Sequence, residues 1–327
     1  MPWKYYSSSD ASAPTLSGTA GDAITVLDAC LINGYGAKTG LGWTKDFSGT
    51  NLAVYRMAAG NTRYYLRVDD NAPVSATEAR LQGYETMSDA NTGTNVFPTS
   101  GYCHLRKSSA ASVTTRSWVL AGDERTFIMA VAYTGSYFLN GIYFGEIYSY
   151  VPNDAYGVAL IGRTTANSAN TYAVDALHRL ATSASIVNDV NGHFLARDTT
   201  GLVVGQGFEK RPANSATGTA GLVALTGDYL FPNPADGSVA MVPIYVSSLE
   251  SAQGVLRGRL RGMWCQLHSN FADYFAAGDT WSGTGDLTGK TFVYAGKTAT
   301  NSSDGSTPPS YSTGHLIFEY SGTVAHH

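Results

Sequence analysis

Charge is scarce in this chain. Asp, Glu, Lys and Arg together make up 14% of its 327 residues, and the formal net charge is −4. Neutralising a phosphate backbone needs a clustered basic excess, so this balance argues against a general nucleic-acid binder while leaving room for one local basic strip. Cysteine is rarer still: Cys30, Cys103 and Cys265 are an odd number at wide spacing. That pattern supplies neither a disulfide framework nor a metal-binding pair, and buried free thiols are expected. No run reaches the ~20 apolar residues that a bilayer span requires, and the start at Met1-Pro-Trp-Lys-Tyr-Tyr6 lacks the apolar stretch of a secretion signal. The expectation is a chain made in a cytoplasm that does not insert into a membrane. No Gly-x-Ser-x-Gly elbow occurs, which removes the usual sequence mark of a serine hydrolase.

Gly, Ser, Thr, Ala and Tyr are plentiful instead, and β-branched and aromatic residues dominate nearly every apolar run. The stretch organising the rest is residues 116–162. Within it Phe127, Met129, Val131 and Tyr133 alternate with Ile128, Ala130 and Ala132. A period of two places large apolar groups on one face and small ones on the other, so this strand is dry on both sides and lies mid-sheet. Short turns at Gly122-Asp123, residues 134–140 and 152–154 separate it from its neighbours, and such strands pair antiparallel. Further strands are predicted over 52–57, 63–69, 79–87, 194–197, 202–207, 222–225, 239–247, 255–267, 290–295 and 316–320. Residues 172–190 stay open between a short helix and irregular strand. Residues 21–33 are the main helix: Ile24, Leu27 and Leu31 share a face, Asp22 is placed to cap it and Gly34 to stop it. The predicted fold is all-β, mainly antiparallel, a sandwich or jelly roll. Residues 1–50 form an N-terminal arm and helix docked on a body at 51–327, which has room for two packed sub-domains. The arm, with no core of its own, is expected to gain order mainly from other chains.

Gly283-Thr-Gly-Asp-Leu-Thr-Gly-Lys-Thr291 resembles a phosphate-binding loop but has Thr284 where the first glycine belongs, and it precedes a strand, so it is expected to be a turn. Asp189 to Gly192 and Asn301 to Gly305 lack the alternating ligands of a calcium loop. His104, His178, His193, His268 and His315 show no zinc spacing. Cys103 and His104 are adjacent and so point to opposite strand faces. Asp123, Glu124 and Glu146 lie near the central segment, and only their separation would decide whether they form a glycosidase pair. No catalytic residue, metal ligand or cofactor is assigned. One charge pattern is organised: Arg257, Arg259 and Arg261 alternate with Gly258, Leu260 and Gly262, so the three guanidinium groups share a face. That face is either a solvated surface or a docking strip for carboxylates of another subunit, a task suited to the bidentate arginine fork.

Several blocks resemble the structural proteins of tailed bacteriophages. They are Lys4-Tyr-Tyr-Ser-Ser8, Ala13-Pro-Thr-Leu-Ser-Gly-Thr-Ala-Gly21, Leu27-Asp-Ala-Cys-Leu-Ile-Asn-Gly-Tyr-Gly36, Gly42-Trp-Thr-Lys-Asp-Phe-Ser-Gly-Thr-Asn51, Leu66-Arg-Val-Asp-Asp70, Gly83-Tyr-Glu-Thr-Met-Ser-Asp89 and Leu256-Arg-Gly-Arg-Leu260. The blocks cover the first ninety residues well and recur more loosely to about residue 290. The resemblance implies a non-enzymatic virion component of the tail or baseplate, made in a bacterial host. Its partners would be other virion proteins and copies of itself, without specific nucleic acid or membrane insertion. The alternative is a tail protein that binds a host receptor glycan; a capsid decoration protein or an envelope-degrading hydrolase ranks lower.

Overall fold

A computed structural model describes residues 2–59, 63–70, 77–132, 138, 140–164, 192–211, 241–249, 255–266, 275–298 and 314–322. The predicted strand at 222–225, the ambiguous stretch at 172–190 and the loops around Asp189 and Asn301 lie outside these. The fold is mainly antiparallel β, as the period of two predicts.

Strand β1 (Lys4–Ser7) is followed by helix α1 (Asp22–Leu27), which runs on as a π-helical turn (Asp28–Asn33). Gly34, with φ 78°, ends it as expected, but Asp22 does not cap it. The first-turn N–H of Ala23 instead donates to Asp70, 47 residues away, at 2.9 Å, while Asp22 accepts a hydrogen bond from Ser17. Strands β2 (Thr44–Gly49), β3 (Leu52–Arg56), β4 (Tyr65–Asp69), β5 (Glu78–Tyr84) and β8 (Cys103–Arg106) build a first sheet. The small hairpin β6 (Thr86–Met87) and β7 (Gly93–Thr94) follows β5 in the chain. The division expected at residue 50 falls inside the β2–β3 hairpin, where Gly49 pairs with Leu52.

Strands β9 (Ser117–Gly122), β10 (Thr126–Ala132), β11 (Asn140–Glu146), β13 (Val158–Ile161) and β14 (His193–Leu195) form the central sheet with β1 at its edge. The short β12 (Tyr148–Ser149) leaves it to join a third sheet, made of β15 (Phe208–Arg211), β16 (Met241–Ser248), β17 (Val255–Gln266), β18 (Thr280–Ser282), β19 (Lys290–Thr298) and β20 (Gly314–Gly322).

The three sheets stack, and β10 shows why. All seven of its residues are buried. Phe127, Met129 and Val131 enter one core with Tyr55, Leu66, Leu81 and the helix residues Val26, Leu27 and Leu31. Ile128, Ala130 and Ala132 enter a second core with Val246, Leu260, Met263, Val293 and Phe318. Each large apolar side chain removed from water stabilises the fold by roughly 1.5–3 kcal/mol, so a strand that is apolar on both faces favours a layer on each side. The alternation of small residues on the second face lets the third sheet approach closely.

The arm corrects the expectation of inter-chain docking. β1 pairs with β9 of the same chain, Lys4 opposite Gly122. Its alternate side chains serve both cores: Tyr6 enters the first and Trp3 the second. Lys38 fixes the arm through Asp10 at 2.6 Å, and Pro14 accepts from the indole of Trp118 at 3.1 Å.

Candidate functional site

The organised arginines lie on β17, and the local fold follows from the glycines between them. Tyr148 of β12 stands opposite Arg259, and Ser149 stands opposite Gly258. A side chain at 258 would run into the backbone of Tyr148 and Ser149, so glycine there lets β12 come in. Gly262 has φ 68°, and a Cβ there would collide with the Trp3 ring. The extra residue reverses the alternation, since Leu260 and Met263 both face the second core while Trp264 packs with Phe292, Tyr294 and Ile317 in a separate buried cluster. Past this bulge β17 pairs with β20, Met263 opposite Phe318.

Arg259 and Arg261 lie over one ring, Tyr148, whereas Arg257 sits at a shift in register between β16 and β17 and is enclosed, so the three do not form a solvated strip. Arg257 is 0% exposed. Its Nε and Nη2 grip the two oxygens of Asp154 at 2.9 and 2.8 Å, a bidentate fork. Arg261 is also buried; it bonds Asp123 and lies 3.6 Å from Glu146. The expected need for a partner's carboxylates is therefore corrected for Arg257 and Arg261, because the counter-charges come from the same chain. The physical reason is that connections at the ends of the central sheet carry Asp123, Glu146 and Asp154 onto β17. Arg259 differs. Among the described residues no carboxylate faces it, its Nε is buried without an acceptor, and its guanidinium lies 5.3 Å from the centre of the Tyr148 ring. Arg261 lies 5.0 Å from the same ring. Burial pushes the Tyr148 phenol up to about 12 against the opposing pull of Arg261, so the ring stays neutral at ordinary pH.

Of these groups Glu146, Tyr148, Asp154, Arg259 and Arg261 line a cleft of about 340 Å³ between the β11–β13 connection and β17. Arg125, Glu146, Tyr148, Asn153, Arg259 and Arg261 form its polar lining, with Tyr150 at the rim, 51% exposed. Arg125 and Glu146 sit 3.4 Å apart. Arg261 gathers Asp123 and Glu146, and of Asp123, Glu124 and Glu146 only Glu146 lines the cleft. Asp123 is committed locally as well, accepting the N–H groups of Arg125 and Thr126 at 2.9 Å each.

The remaining candidates fall elsewhere. Residues 283–291 form the β18–β19 turn, with Gly283 N–H donating to Lys290 at 2.9 Å; Lys290 is buried against Glu319. Cys103 lies in the first core, and His104, on the other strand face, has Nδ1 3.3 Å from Glu78. His193 packs on Phe208 with ring centres 5.4 Å apart. His178, His268 and the side chains of His315 and Cys265 lie outside the described residues; Cys30 and Cys103 are free and buried. Among the described residues no group of His, Cys, Asp and Glu is placed to hold a metal. Sequence reasoning missed β12, Tyr148 and Asp154, reading residues 152–154 only as a turn. The signal available was the unexplained positive charge on residues 257–261, which demanded nearby acids without locating them.

No known protein family matches the chain, and no curated protein sequence matches it.

Proposed function

We propose that the protein is a non-enzymatic structural component of a tailed-phage particle, of the tail or baseplate, that works through contacts with other subunits and with copies of itself. The observation that carries this reading is how the chain uses its buried charges. Arg257 holds Asp154 and Arg197 holds Glu85, each pair ties together segments more than a hundred residues apart, and the hydrogen bonds leave both carboxyls below their usual range. A carboxylate held as an anion by a hydrogen-bonded cation stiffens a scaffold and is poorly suited to carry protons. The phage-like blocks, Leu66 to Asp70 and Leu256 to Leu260 among them, contribute to this scaffold. The test is peptide mass spectrometry on purified tailed-phage particles from a host that carries this gene. The protein should co-purify at a fixed stoichiometry with tail components, and its absence from intact particles would end the reading.

The second reading, a tail protein that binds a host glycan, is favoured by the open cleft with Tyr150 and Asn153 at its mouth. Aromatic rings that present one apolar face and a polar tip are common anchors at such sites. A glycan array separates the two: reproducible binding of a defined glycan set supports the second, and a blank array leaves subunit contact as the role.

A further inference from the structure

Of the four arginines at the cleft and beside it, three are each in contact with a carboxylate. Arg257 is matched by Asp154, Arg261 by Asp123 and Arg125 by Glu146, which leaves Arg259 as the cation without an anion among the described residues. The nearby Lys290 is matched by Glu319 and adds no excess. Arg259 is half-buried, and its Nε and that of Arg261 are both buried without an acceptor. A buried donor left unmade costs on the order of 1–3 kcal/mol, more when charged, so a ligand that supplies acceptors here recovers it.

We propose that this cleft binds the carboxylate of an acidic sugar residue, with Arg259 as its cation and Tyr150 as the platform for the sugar ring. The inference rests on the glycan-binding reading above and adds the place and the chemical class. One guanidinium without an ion pair among the described residues matches one carboxylate. Phosphate, largely a dianion at neutral pH, would bring a second negative charge close to Glu146 and Asp154. A guanidinium is planar and presents its donors in a fork that fits a carboxylate. The volume of about 340 Å³ sits at the small end for ligand clefts, suited to a single sugar residue rather than a buried chain. The rim supplies what a sugar needs besides charge. The Tyr150 ring is exposed, and Asn153 is exposed in a left-handed turn at φ 54°, its amide able to donate to and accept from hydroxyls.

Calorimetry on the full chain tests this, with glucuronate, galacturonate and N-acetylneuraminate as probes, glucose and galactose as neutral controls, and acetate and inorganic phosphate as simple anions. The expected result is measurable binding of at least one acidic sugar, weakened by added salt. Neutral sugars should be at least tenfold weaker, and Arg259→Gln and Tyr150→Ser should each lose tenfold or more while keeping the parent melting temperature. Equal binding of acidic and neutral sugars overturns the Arg259 assignment but leaves glycan binding standing. Acetate or phosphate binding as tightly as the sugar acids overturns the sugar class. Absence of any sugar binding removes both this inference and the glycan reading. If Arg259→Gln does not fold, Tyr150→Ser at the exposed rim decides alone: unchanged affinity in that variant overturns the proposal.

Discussion

Arg257 and Arg259 are two positions apart on one strand and have opposite energetics. Arg257 is enclosed and forked to Asp154, so truncating it strands a carboxylate away from water. Breaking such a buried pair costs ~3–5 kcal/mol. Arg259 has no ion pair among the described residues to lose; its replacement by Gln removes a buried donor left unmade and a contact with the Tyr148 ring, opposing effects of about 1 kcal/mol each, so the net change should be small. Urea titration of Arg257→Ala and Arg259→Gln should therefore give a sharply lowered midpoint for the first and a near-parental one for the second. Similar losses for both would contradict the assignment of partners. That these arginines cluster on one strand was legible in residues 256–262. The identity of their partners was not, since Asp154 is 103 residues away and Asp123 is 138.

At the scale of elements, β17 carries the decisive irregularity. Gly262 adopts a backbone conformation that costs an L-residue ~1–2 kcal/mol, and the Trp3 ring occupies the space of its missing side chain. Gly262→Ala should lower the melting temperature through both effects. Trp3→Leu relieves only the clash, so the double variant is expected to lose less than the sum of the two single losses. Strict additivity in a double-mutant cycle would show that the arm does not press on the bulge. The strands themselves were readable because a period of two is local: β3, β4, β5, β9, β10, β11, β16, β17, β19 and β20 all fall where alternation places them. The short β8 and β12 were not readable, as two to four residues carry too little pattern to stand out from a loop. The helix cap failed for a related reason, because a local Asp22 was available and a remote Asp70 took the role.

For the whole molecule, ion pairs join layers that the cores already stack. Burial pushes the Asp154 carboxyl up, but hydrogen bonds from Arg257, Ser149 and the Tyr156 N–H outweigh it and leave the group below its usual value. Burial, Arg197 and Asn95 act in the same way on Glu85, again with a net lowering. A carboxyl whose native value is depressed binds fewer protons folded than unfolded. The stability it contributes is fully present above the unfolded carboxylate range near pH ~4 and is lost as the pH falls through the native value. Melting temperature should accordingly drop as the pH is lowered below ~4, and Asp154→Asn should flatten part of that slope while lowering stability at neutral pH. A variant with an unchanged acid slope would show that the Asp154 pair contributes nothing to acid sensitivity.

By itself, the order of residues determined that this chain is antiparallel β, that one strand is buried on both faces, and that three arginines cluster on one strand. Those properties depend on neighbours at i and i+2, which any extended segment brings into register with itself. Only the tertiary structure decided that the arm completes its own chain's central sheet, that two of the arginines are neutralised internally, and that the third opens onto a cleft. Each of these depends on groups roughly a hundred residues apart in sequence, whose approach is set by the stacking of three sheets and leaves no local period to read.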